Sequence, residues 1–398
     1  MLALTMRYLV LGAGLQGRAV LHDLVRSDGV KRVAVADASE RALGAAASPR
    51  LGTERVERLA LEVHDHAATV AAMRGFDVVI EMLPAELRLP VARAALEARV
   101  HLVNCHYAGE LAALDVEVAE AGLRFMPEAG LDPGLDLVMA ALAVRALDEV
   151  HELRSYGAGF PEPAAATGPL RYKLTWPFEA VLRSYVREAR LRVGGQERRI
   201  AATEIFAPEH IHLLEVPGLG TLEAYPNGDA VGYAERLGIA GSLRTTGRYV
   251  LRWPGHAALW YPLVALGLLD SEPLAAADAP PGARCSPLQL LARVLAPKLH
   301  YADDERDVAI ARVEVSGLRQ GAPTRAVAQV IDRRDLATGL FAMNRTVGFT
   351  ASIAAQLLGT GVVTRTGVLS PATDLPVDRF CAELEQRGMV VTVATASG

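Results

Sequence analysis

A glycine-rich turn near the start of the chain constrains the fold more than any other feature. Gly12, Gly14 and Gly17 form a GxGxxG pattern that follows the apolar run 7–11 and opens a segment with apolar residues at helical spacing. The first glycine permits a tight turn, the second lets the backbone approach a pyrophosphate, and the third lets the helix pack closely on the strand. The pattern therefore predicts a strand, turn and helix that bind a dinucleotide.

An acidic residue follows the last glycine at the spacing that such folds use. Asp37 comes 20 residues after that glycine, at the end of the β-branched run 32–36. Its carboxylate would accept hydrogen bonds from ribose hydroxyls and repel a 2′-phosphate, which favours NAD over NADP. Helix capping is the alternative role for Asp37. Leu15 and Gln16 begin the pyrophosphate-binding helix, and Asp65 is predicted either to approach the adenine or to cap the next helix.

Further apolar runs predict the class of the fold. The segments 76–82, 100–104 and 122–126 read as strands, and segments of helical spacing separate them. Strands that are buried on both faces have continuous apolar sequences, so these runs indicate a parallel sheet covered by helices. The sequence thus predicts an α/β Rossmann domain.

The pattern changes after about residue 131. Alternating segments at 204–206, 248–252 and 309–316 predict an appended α+β domain with a mainly antiparallel sheet. A helix with a clear apolar face then precedes Gly359.

Composition excludes several classes of function. The 41 Lys and Arg residues against 46 Asp and Glu give a net charge of −5, so no nucleic-acid or membrane partner is expected. Three scattered cysteines without CxxC spacing argue against disulfides and zinc and favour a cytoplasmic protein. The uncharged run 253–269 contains two prolines and is predicted to be a buried helix. His210 and His212 lack a third ligand at recognisable spacing, so no metal is expected.

Several segments resemble the saccharopine dehydrogenase family, and the match covers nearly the full length. Those similar to glutamate-forming saccharopine dehydrogenases are EAGLDPGLD (128–136), SYGAGFPEP (155–163), GPLRYKLTW (168–176), AYPNGD (224–229) and LRWPGH (251–256). The start, YLVLGAGLQGR, and the end, MNRTVGFTASIAAQLLGTGVVTRTGV, are closer to lysine 6-dehydrogenases.

The resemblance implies an architecture and a reaction. The NAD-binding Rossmann domain would comprise residues 1–130, completed by about 340–398, with a substrate-binding and dimerisation domain at 131–339 in a homodimer. The implied reaction is NAD-dependent oxidation of the secondary amine of saccharopine to an imine, which is hydrolysed to L-glutamate and 2-aminoadipate 6-semialdehyde in lysine metabolism. Alternatives are L-lysine 6-dehydrogenase, a carboxyspermidine-type dehydrogenase and, most remotely, a non-catalytic NAD-binding protein.

The resemblance also implies which residues border the nicotinamide and the reacting carbon. Leu83 and Pro84 follow one strand of the Rossmann domain, and Asn104 ends the next. Tyr107 would contact the substrate. Because the amine must lose a proton before hydride leaves, a base is required, and His106 is a candidate for acid–base work.

Further candidates lie outside these strand ends. Asp132 is predicted to cap a helix that starts at Pro133, to take part in catalysis, or both. Lys173 would be a base with a lowered pKa or a fixed charge for a carboxylate. The predicted substrate-binding residues are Tyr225, Asn227, Arg244 and Arg248.

The sequence departs from saccharopine dehydrogenases at one substrate position. Gly228 stands where they have an arginine that holds a substrate carboxylate. Either another basic residue, such as Arg244 or Arg171, replaces that arginine, or the substrate has one carboxylate fewer, as lysine does.

Overall fold

The computed structural model describes residues 5–273 and 285–397, and its contacts divide the chain into two units. The first unit comprises residues up to 142 together with 330–392, and the second comprises 143–329 together with the segment from 393. The boundaries implied by the family resemblance lie at 130/131 and 339/340. These boundaries stay a prediction. The units defined by contacts change at 142/143, inside a helix, and at 329/330, inside a long strand.

The first unit is built from alternating strands and helices. Its strands are β1 (Met6–Leu11), β2 (Val30–Asp37), β3 (Glu57–Ala60), β4 (Val78–Glu81), β5 (His101–Asn104), β6 (Arg124–Met126) and β15 (Gly367–Val368). Its helices are α1 (Leu15–Leu24), α2 (Glu40–Ala46), α3 (His66–Met73), α4 (Arg88–Ala98), α5 (Asp115–Glu120), α6 (Leu135–Val144), α11 (Ala342–Gly359) and α12 (Val377–Gln386). The predicted strands and the helix before Gly359 are all present.

The strands form one seven-stranded sheet in the order β15-β6-β5-β4-β1-β2-β3. Every pairing in it is parallel. Leu9 and Val79 of the central strands are completely buried. Continuous apolar strands between helices are what a parallel sheet requires, so the predicted Rossmann architecture is confirmed.

The second unit has a mainly antiparallel sheet and fewer helices. Its strands are β7 (Glu149–Pro161), β8 (Ala189–Val193), β9 (Gln196–Ile200), β10 (His212–Val216), β11 (Gly220–Pro226), β12 (Thr245–Arg252), β13 (Asp307–Arg319), β14 (Ala322–Arg333) and β16 (Val391–Ser397). Its helices are α7 (Phe178–Ser184), α8 (Val231–Arg236), α9 (His256–Ala265) and α10 (Pro287–Leu295). The order is β10-β11-β12-β7-β13-β14-β16, with β8 pairing β12 and β9.

The sheet of the second unit is mixed rather than uniform. The long strands β7 and β13 are antiparallel, whereas β12 and β7 run parallel. The helices cover a large apolar core that includes Tyr185 and Trp260. This arrangement confirms the predicted α+β domain with a mainly antiparallel sheet.

One local prediction was wrong. The segment 204–206, predicted as a strand, instead begins at the last residue of a short 3-10 helix, Ala202–Glu204, and continues as a turn. The last strand, β16, joins the second sheet. Strand pairing over long sequence separations decides both outcomes, and a short alternating pattern cannot report it.

Candidate active site

The glycine-rich turn between β1 and α1 has the shape of a dinucleotide cradle. A Cβ on Gly17 would lie 1.9 Å from the carbonyl oxygen of Gly12, and Gly12 itself has φ +99°. A Cβ on Gly14 would meet nothing within 4 Å. The turn therefore requires glycine at its first and last positions for backbone packing, while the middle position opens onto free space.

The first turn of α1 is the part of the cradle that would hold phosphate. Gly14 is its N-cap and has no side chain with which to cap the helix. Leu15 and Gln16 follow with partly exposed positions. Unpaired N–H groups and the helix dipole favour an anion at such a terminus, so these residues fit a pyrophosphate.

Asp37 lies at the end of β2 and is bonded to the backbone of the turn. One carboxylate oxygen accepts from the N–H of Ala13 and the other from the N–H of Ser39, both at 2.8 Å. Ser39, not Asp37, is the N-cap of α2. The capping alternative for Asp37 is therefore excluded, and its half-buried carboxylate stands beside the cradle.

Asp65 has the capping role that was one of its two predicted roles. It is the N-cap of α3, and its carboxylate accepts from the N–H of Ala68 at 3.0 Å. Its position is exposed. An adenine contact for Asp65 stays a prediction.

The loops after β4 and β5 carry the other predicted cofactor residues. Leu83 lies beside the cradle, since a Cβ on Gly12 would be 3.3 Å from its Cδ2 atom. Pro84 follows and is exposed. Asn104 is 1% exposed, and its Oδ1 accepts from the backbone N–H of His106 at 3.1 Å. These residues lie at the carboxyl edge of the sheet, where dinucleotide folds hold the nicotinamide.

The loop after β5 also places two predicted catalytic-site residues. The ring of His106 reaches back to β4, and its Nε2 is 2.8 Å from the carbonyl oxygen of Leu83. Tyr107 follows, and its carbonyl oxygen accepts from Arg88 at 3.0 Å. Burial raises the pKa of the intervening Cys105 thiol to about 12, so this cysteine is an uncharged, unreactive thiol at neutral pH.

The helix that Asp132 was predicted to cap starts later than the sequence indicated. The backbone at Gly134 has φ +142°, and a Cβ there would lie 2.3 Å from the backbone of Gly130. This tight turn delays α6 until Leu135, so Asp132 precedes the helix by three residues and is not its N-cap. The capping prediction was wrong; the catalytic role of Asp132 stays a prediction.

The same turn contains a buried acid that the sequence did not single out. Asp136 is 1% exposed, and its carboxylate accepts from the N–H of Gly134 at 2.7 Å. Burial raises its pKa to about 7, and the neighbouring Glu128 acts in the same direction, although the backbone hydrogen bonds oppose the shift.

In the second unit, three of the predicted substrate residues lie together where the end of β11 pairs with the middle of β12. The backbone N–H of Asn227 donates to the carbonyl oxygen of Arg248 at 2.9 Å, and Tyr225 pairs with Val250 two register positions away. Arg248 is 4% exposed and its guanidinium lies 4.6 Å from the ring centre of Tyr233. The group offers a buried positive charge to a ligand, which suits a carboxylate.

The position of the missing family arginine is a left-handed turn. Gly228 has φ +60°, and its carbonyl oxygen accepts from the backbone N–H of Arg190. The Arg190 guanidinium is bound to Glu197 and Asp229. Arg244 is exposed, and so is Arg171, whose guanidinium lies 5.2 Å from the ring centre of Trp253. None of the three takes the lost arginine's place beside Asn227 by a contact within this unit.

Lys173 is held by an acid. Its ammonium forms a short ion pair with Glu305, and the side chains are 15% and 22% exposed. The ring centre of Tyr301 is 5.7 Å from Nζ. Because the carboxylate stabilises the ammonium, the arrangement favours the fixed-charge role over the base role.

A second buried arginine on β12 was missed by the sequence reasoning. Arg252 is 5% exposed, lies 5.0 Å from the ring centre of Tyr172, and donates to the carbonyl oxygen of Leu251. Burial and the charge of Arg252 lower the pKa of His256 far below its usual value, so this imidazole is neutral. The sequence does contain a signal for Arg252. It lies four residues after Arg248 on one strand, and residues at that spacing share a face of the sheet.

Metal clusters and membrane-spanning helices are both absent from the described residues. In residues 5–273 and 285–397, no group of three or more His, Cys, Asp or Glu side chains is arranged to hold a metal ion. Over the same residues no helix combines the length and the apolar character that crossing a bilayer demands.

Family models match both halves of the chain. The model described as saccharopine dehydrogenase NADP binding domain matches residues 8–126. The model described as saccharopine dehydrogenase C-terminal domain matches residues 130–389. The chain belongs to the saccharopine dehydrogenase family. Its glycine-rich turn and Asp37 fall in the first match, and Arg248 and Lys173 fall in the second.

Curated relatives carry related names. The chain is 31% identical over 276 residues to saccharopine dehydrogenase [NADP(+), L-glutamate-forming] of Pyricularia oryzae, covering 67% of this chain and 59% of the relative. It is 32% identical over 228 residues to alpha-aminoadipic semialdehyde synthase of Arabidopsis thaliana, covering 56% and 21%. The chain thus spans between about a fifth and three fifths of the length of such relatives.

Solved structures share the fold. The apo saccharopine dehydrogenase (L-Glu forming) of Saccharomyces cerevisiae aligns with a TM-score of 0.85 at 22% identity, covering 98% of this chain and 100% of the other. The homospermidine synthase of Legionella pneumophila, in complex with NAD, aligns with a TM-score of 0.60 at 10% identity, covering 99% and 91%. These two likenesses show the fold.

Proposed function

We propose that this protein oxidises the secondary amine of saccharopine to an imine, whose hydrolysis releases L-glutamate and 2-aminoadipate 6-semialdehyde. The observation that carries the reaction class is the cradle, in which the space at Gly14 is open and the start of α1 is uncapped. The substrate is inferred from the names of the family relatives.

Different residues of the cradle would bind different parts of the cofactor. Gly14, Leu15 and Gln16 would bind the pyrophosphate, and Asp37 would bind the adenosine ribose. When bound, the nicotinamide supplies the hydride acceptor. Leu83 would exclude water from that side of the ring because its side chain is apolar and next to the turn.

For the cofactor, we propose NAD. The carboxylate of Asp37 would repel a 2′-phosphate, and Arg41, the basic residue four positions later, is exposed on α2. The family model for the first unit and several relatives, however, are named for NADP. A direct comparison of the two cofactors therefore tests the role of Asp37.

Saccharopine carries three carboxylates, so its binding requires fixed positive charge. Arg248 and Arg252 are both buried on β12, and a buried arginine supports charge-assisted hydrogen bonds better than an exposed one. Lys173, held by Glu305, would add a third charge. Asn227 would donate or accept through its amide beside Arg248.

The deciding experiment offers the purified protein saccharopine, L-lysine and carboxyspermidine separately, each with NAD and with NADP. Appearance of the reduced cofactor at 340 nm is followed. Saccharopine should be the substrate with the highest kcat/KM. Turnover of lysine without turnover of saccharopine would refute the proposal.

Gly228 favours one second candidate, L-lysine 6-dehydrogenase. A glycine replaces the arginine that saccharopine dehydrogenases use for a carboxylate, and the nearby Arg190 is occupied by two acids. A substrate with one carboxylate fewer would need no replacement. Gly228→Arg would supply the missing positive charge. In a protein that oxidises saccharopine weakly, this variant should therefore have a lower KM for saccharopine.

We also propose that the protein is a cytoplasmic homodimer. The scattered cysteines and the family resemblance support this proposal. Light scattering after size-exclusion chromatography should give twice the 42.4 kDa mass of the chain. A monomeric mass over the micromolar range would refute the dimer.

A further inference from the structure

A fully buried carboxylate ends the central strand β4. Glu81 is 0% exposed, and in the sheet it pairs with Leu11 of β1 on one side and with Asn104 of β5 on the other. Within the described ranges, neither of its oxygens makes a hydrogen bond of normal geometry. Burying an ionised carboxylate is costly unless a positive group compensates it, so the surroundings of Glu81 need one.

The basic group beside Glu81 is the imidazole of His106. Its Nε2 lies 3.5 Å from Oε1 of Glu81 and 2.8 Å from the carbonyl oxygen of Leu83. A carbonyl oxygen can only accept, so Nε2 carries the proton in this contact. In the neutral ring Nδ1 then holds the basic lone pair.

The basic nitrogen of His106 is available to a ligand. Among the described residues Nδ1 has no hydrogen-bond partner, and the side chain is 20% exposed. The ring stands at the carboxyl edge of β4 and β5, close to Leu83 and the glycine-rich turn. In a Rossmann domain this edge borders the nicotinamide and hence the reacting carbon.

The charges around His106 favour its protonated form. Burial acts against protonation, but the charge of the adjacent Glu81 carboxylate and the contact with the Leu83 carbonyl oxygen outweigh it, so the pKa of His106 is raised above its usual value. Arg88, from the start of α4, opposes this weakly, and the Cys105 thiol is uncharged. Glu128, after β6, faces the same loop through the N–H of Ala108.

We propose that His106 Nδ1 is the base that deprotonates the substrate's secondary ammonium, and that Glu81 is its positioning residue. The inference rests on the proposed function. The ammonium N–H bond breaks, its electron pair stays on the substrate nitrogen, and an Nδ1–H bond forms. A bound nicotinamide would supply the acceptor for the hydride of the neighbouring carbon, and the freed nitrogen lone pair would form the C=N bond. Glu81 compensates the charge of the imidazolium until the proton passes to water.

The first test needs neither substrate nor cofactor. In protein labelled with ¹⁵N-histidine, the His106 signals, assigned by their loss in His106→Asn, should report the Nε2–H tautomer in the neutral ring and a pKa above 6.5. Glu81→Gln should lower that pKa by about one unit, since it removes the neighbouring charge. An Nδ1–H tautomer or an unchanged pKa in Glu81→Gln would overturn the positioning role.

The second test is the pH dependence of kcat/KM for saccharopine oxidation. The wild-type profile should rise with pH through the pKa of His106 and then level off, because only the neutral ring accepts a proton. Glu81→Gln should move the rise to lower pH and lower the plateau. His106→Asn should abolish the rise and reduce kcat/KM by about 10²- to 10⁴-fold. A retained rise in His106→Asn would overturn the base.

A matched control pair is available on the protein surface. His66 Nε2 contacts Glu97 at 2.9 Å, and both side chains are about half exposed. Glu97→Gln and His66→Asn should leave the pH profile of kcat/KM unchanged. A changed profile in either variant would mean that the loss of any charged pair alters the profile, which would overturn the specific role of Glu81 and His106. If no amine is oxidised at all, the proposed function fails while the labelling experiment still decides the pairing of Glu81 with His106.

Discussion

The carboxylate of Asp37 accepts a hydrogen bond from the backbone N–H of Ala13 at 2.8 Å. Through this bond the end of β2 is attached to the glycine-rich turn, and the second carboxylate oxygen accepts from Ser39. Each oxygen retains a further lone pair for a ligand hydroxyl. The residue that would select the cofactor thus also stabilises the turn that would bind it.

Removing the charge of Asp37 should change cofactor selection. We expect Asp37→Asn to lower the ratio of kcat/KM with NAD to that with NADP by about tenfold, or about 1.4 kcal/mol, since repulsion of the 2′-phosphate disappears. Arg41→Ala is the control and should leave the ratio unchanged, because Arg41 is exposed. A wild-type preference for NADP of tenfold or more would show that the argument from Asp37 is wrong.

Two glycine substitutions should separate binding from folding. Gly14→Ala places its Cβ in open space, so the melting temperature should change by no more than about 2 °C while the Kd for NADH rises about tenfold. Gly17→Ala would put a Cβ 1.9 Å from the Gly12 carbonyl oxygen and should lower the melting temperature by more than about 5 °C. Thermal melting and NADH fluorescence measure the two effects. Equal loss of stability in both variants would contradict the open space at Gly14.

The ion pair between Lys173 and Glu305 should show energetic coupling. Lys173→Met leaves a partly buried carboxylate unpaired, so we expect it to be more destabilising alone than together with Glu305→Gln, with a coupling free energy of about 1 kcal/mol. Urea unfolding of the wild type, both single variants and the double variant measures it. If the double variant regains stability and retains turnover, Lys173 is not the base.

Asp136 should make stability depend on pH. Its folded-state pKa of about 7 lies above the ordinary aspartate value, so the folded protein binds more protons than the unfolded chain between about pH 4 and 7. Stability from this group is therefore present below pH 4 and is lost as pH rises through 7. Asp136→Asn should reduce the fall in the free energy of unfolding between pH 5 and 8.

Urea unfolding at the two pH values tests the role of Asp136, and Asp28→Asn is the control. Asp28 is exposed, so its substitution should leave the pH dependence unaltered. An equally steep fall in Asp136→Asn would mean that another group carries the dependence.

Local sequence patterns were sufficient for the Rossmann domain. The apolar strands and the GxGxxG turn depend on burial and on backbone space within a few residues, so their spacing reports them directly. Strand β3 and the two-residue strand β15 were not predicted, because short strands are defined by pairing rather than by pattern.

The sequence predicted those site residues whose geometry depends only on neighbouring residues in the chain. Gly12, Gly14, Gly17 and Asp37 were identified from spacing alone. Glu81 was not, although a charged residue inside the apolar run VVIEM was a visible signal. The role of this carboxylate depends on His106, which lies 25 residues away in the chain and 3.5 Å away in space.

The sequence by itself determined the fold class, the dinucleotide turn and, through the quoted motifs, the family. Only the tertiary structure decided that Asp132 is not a cap, that Lys173 binds Glu305, and that His106 has its basic nitrogen at Nδ1. The physical reason is that propensity and hydrophobic period act over a few residues. Burial, tautomer and ion pairing are set instead by groups that the folded chain brings together from distant positions.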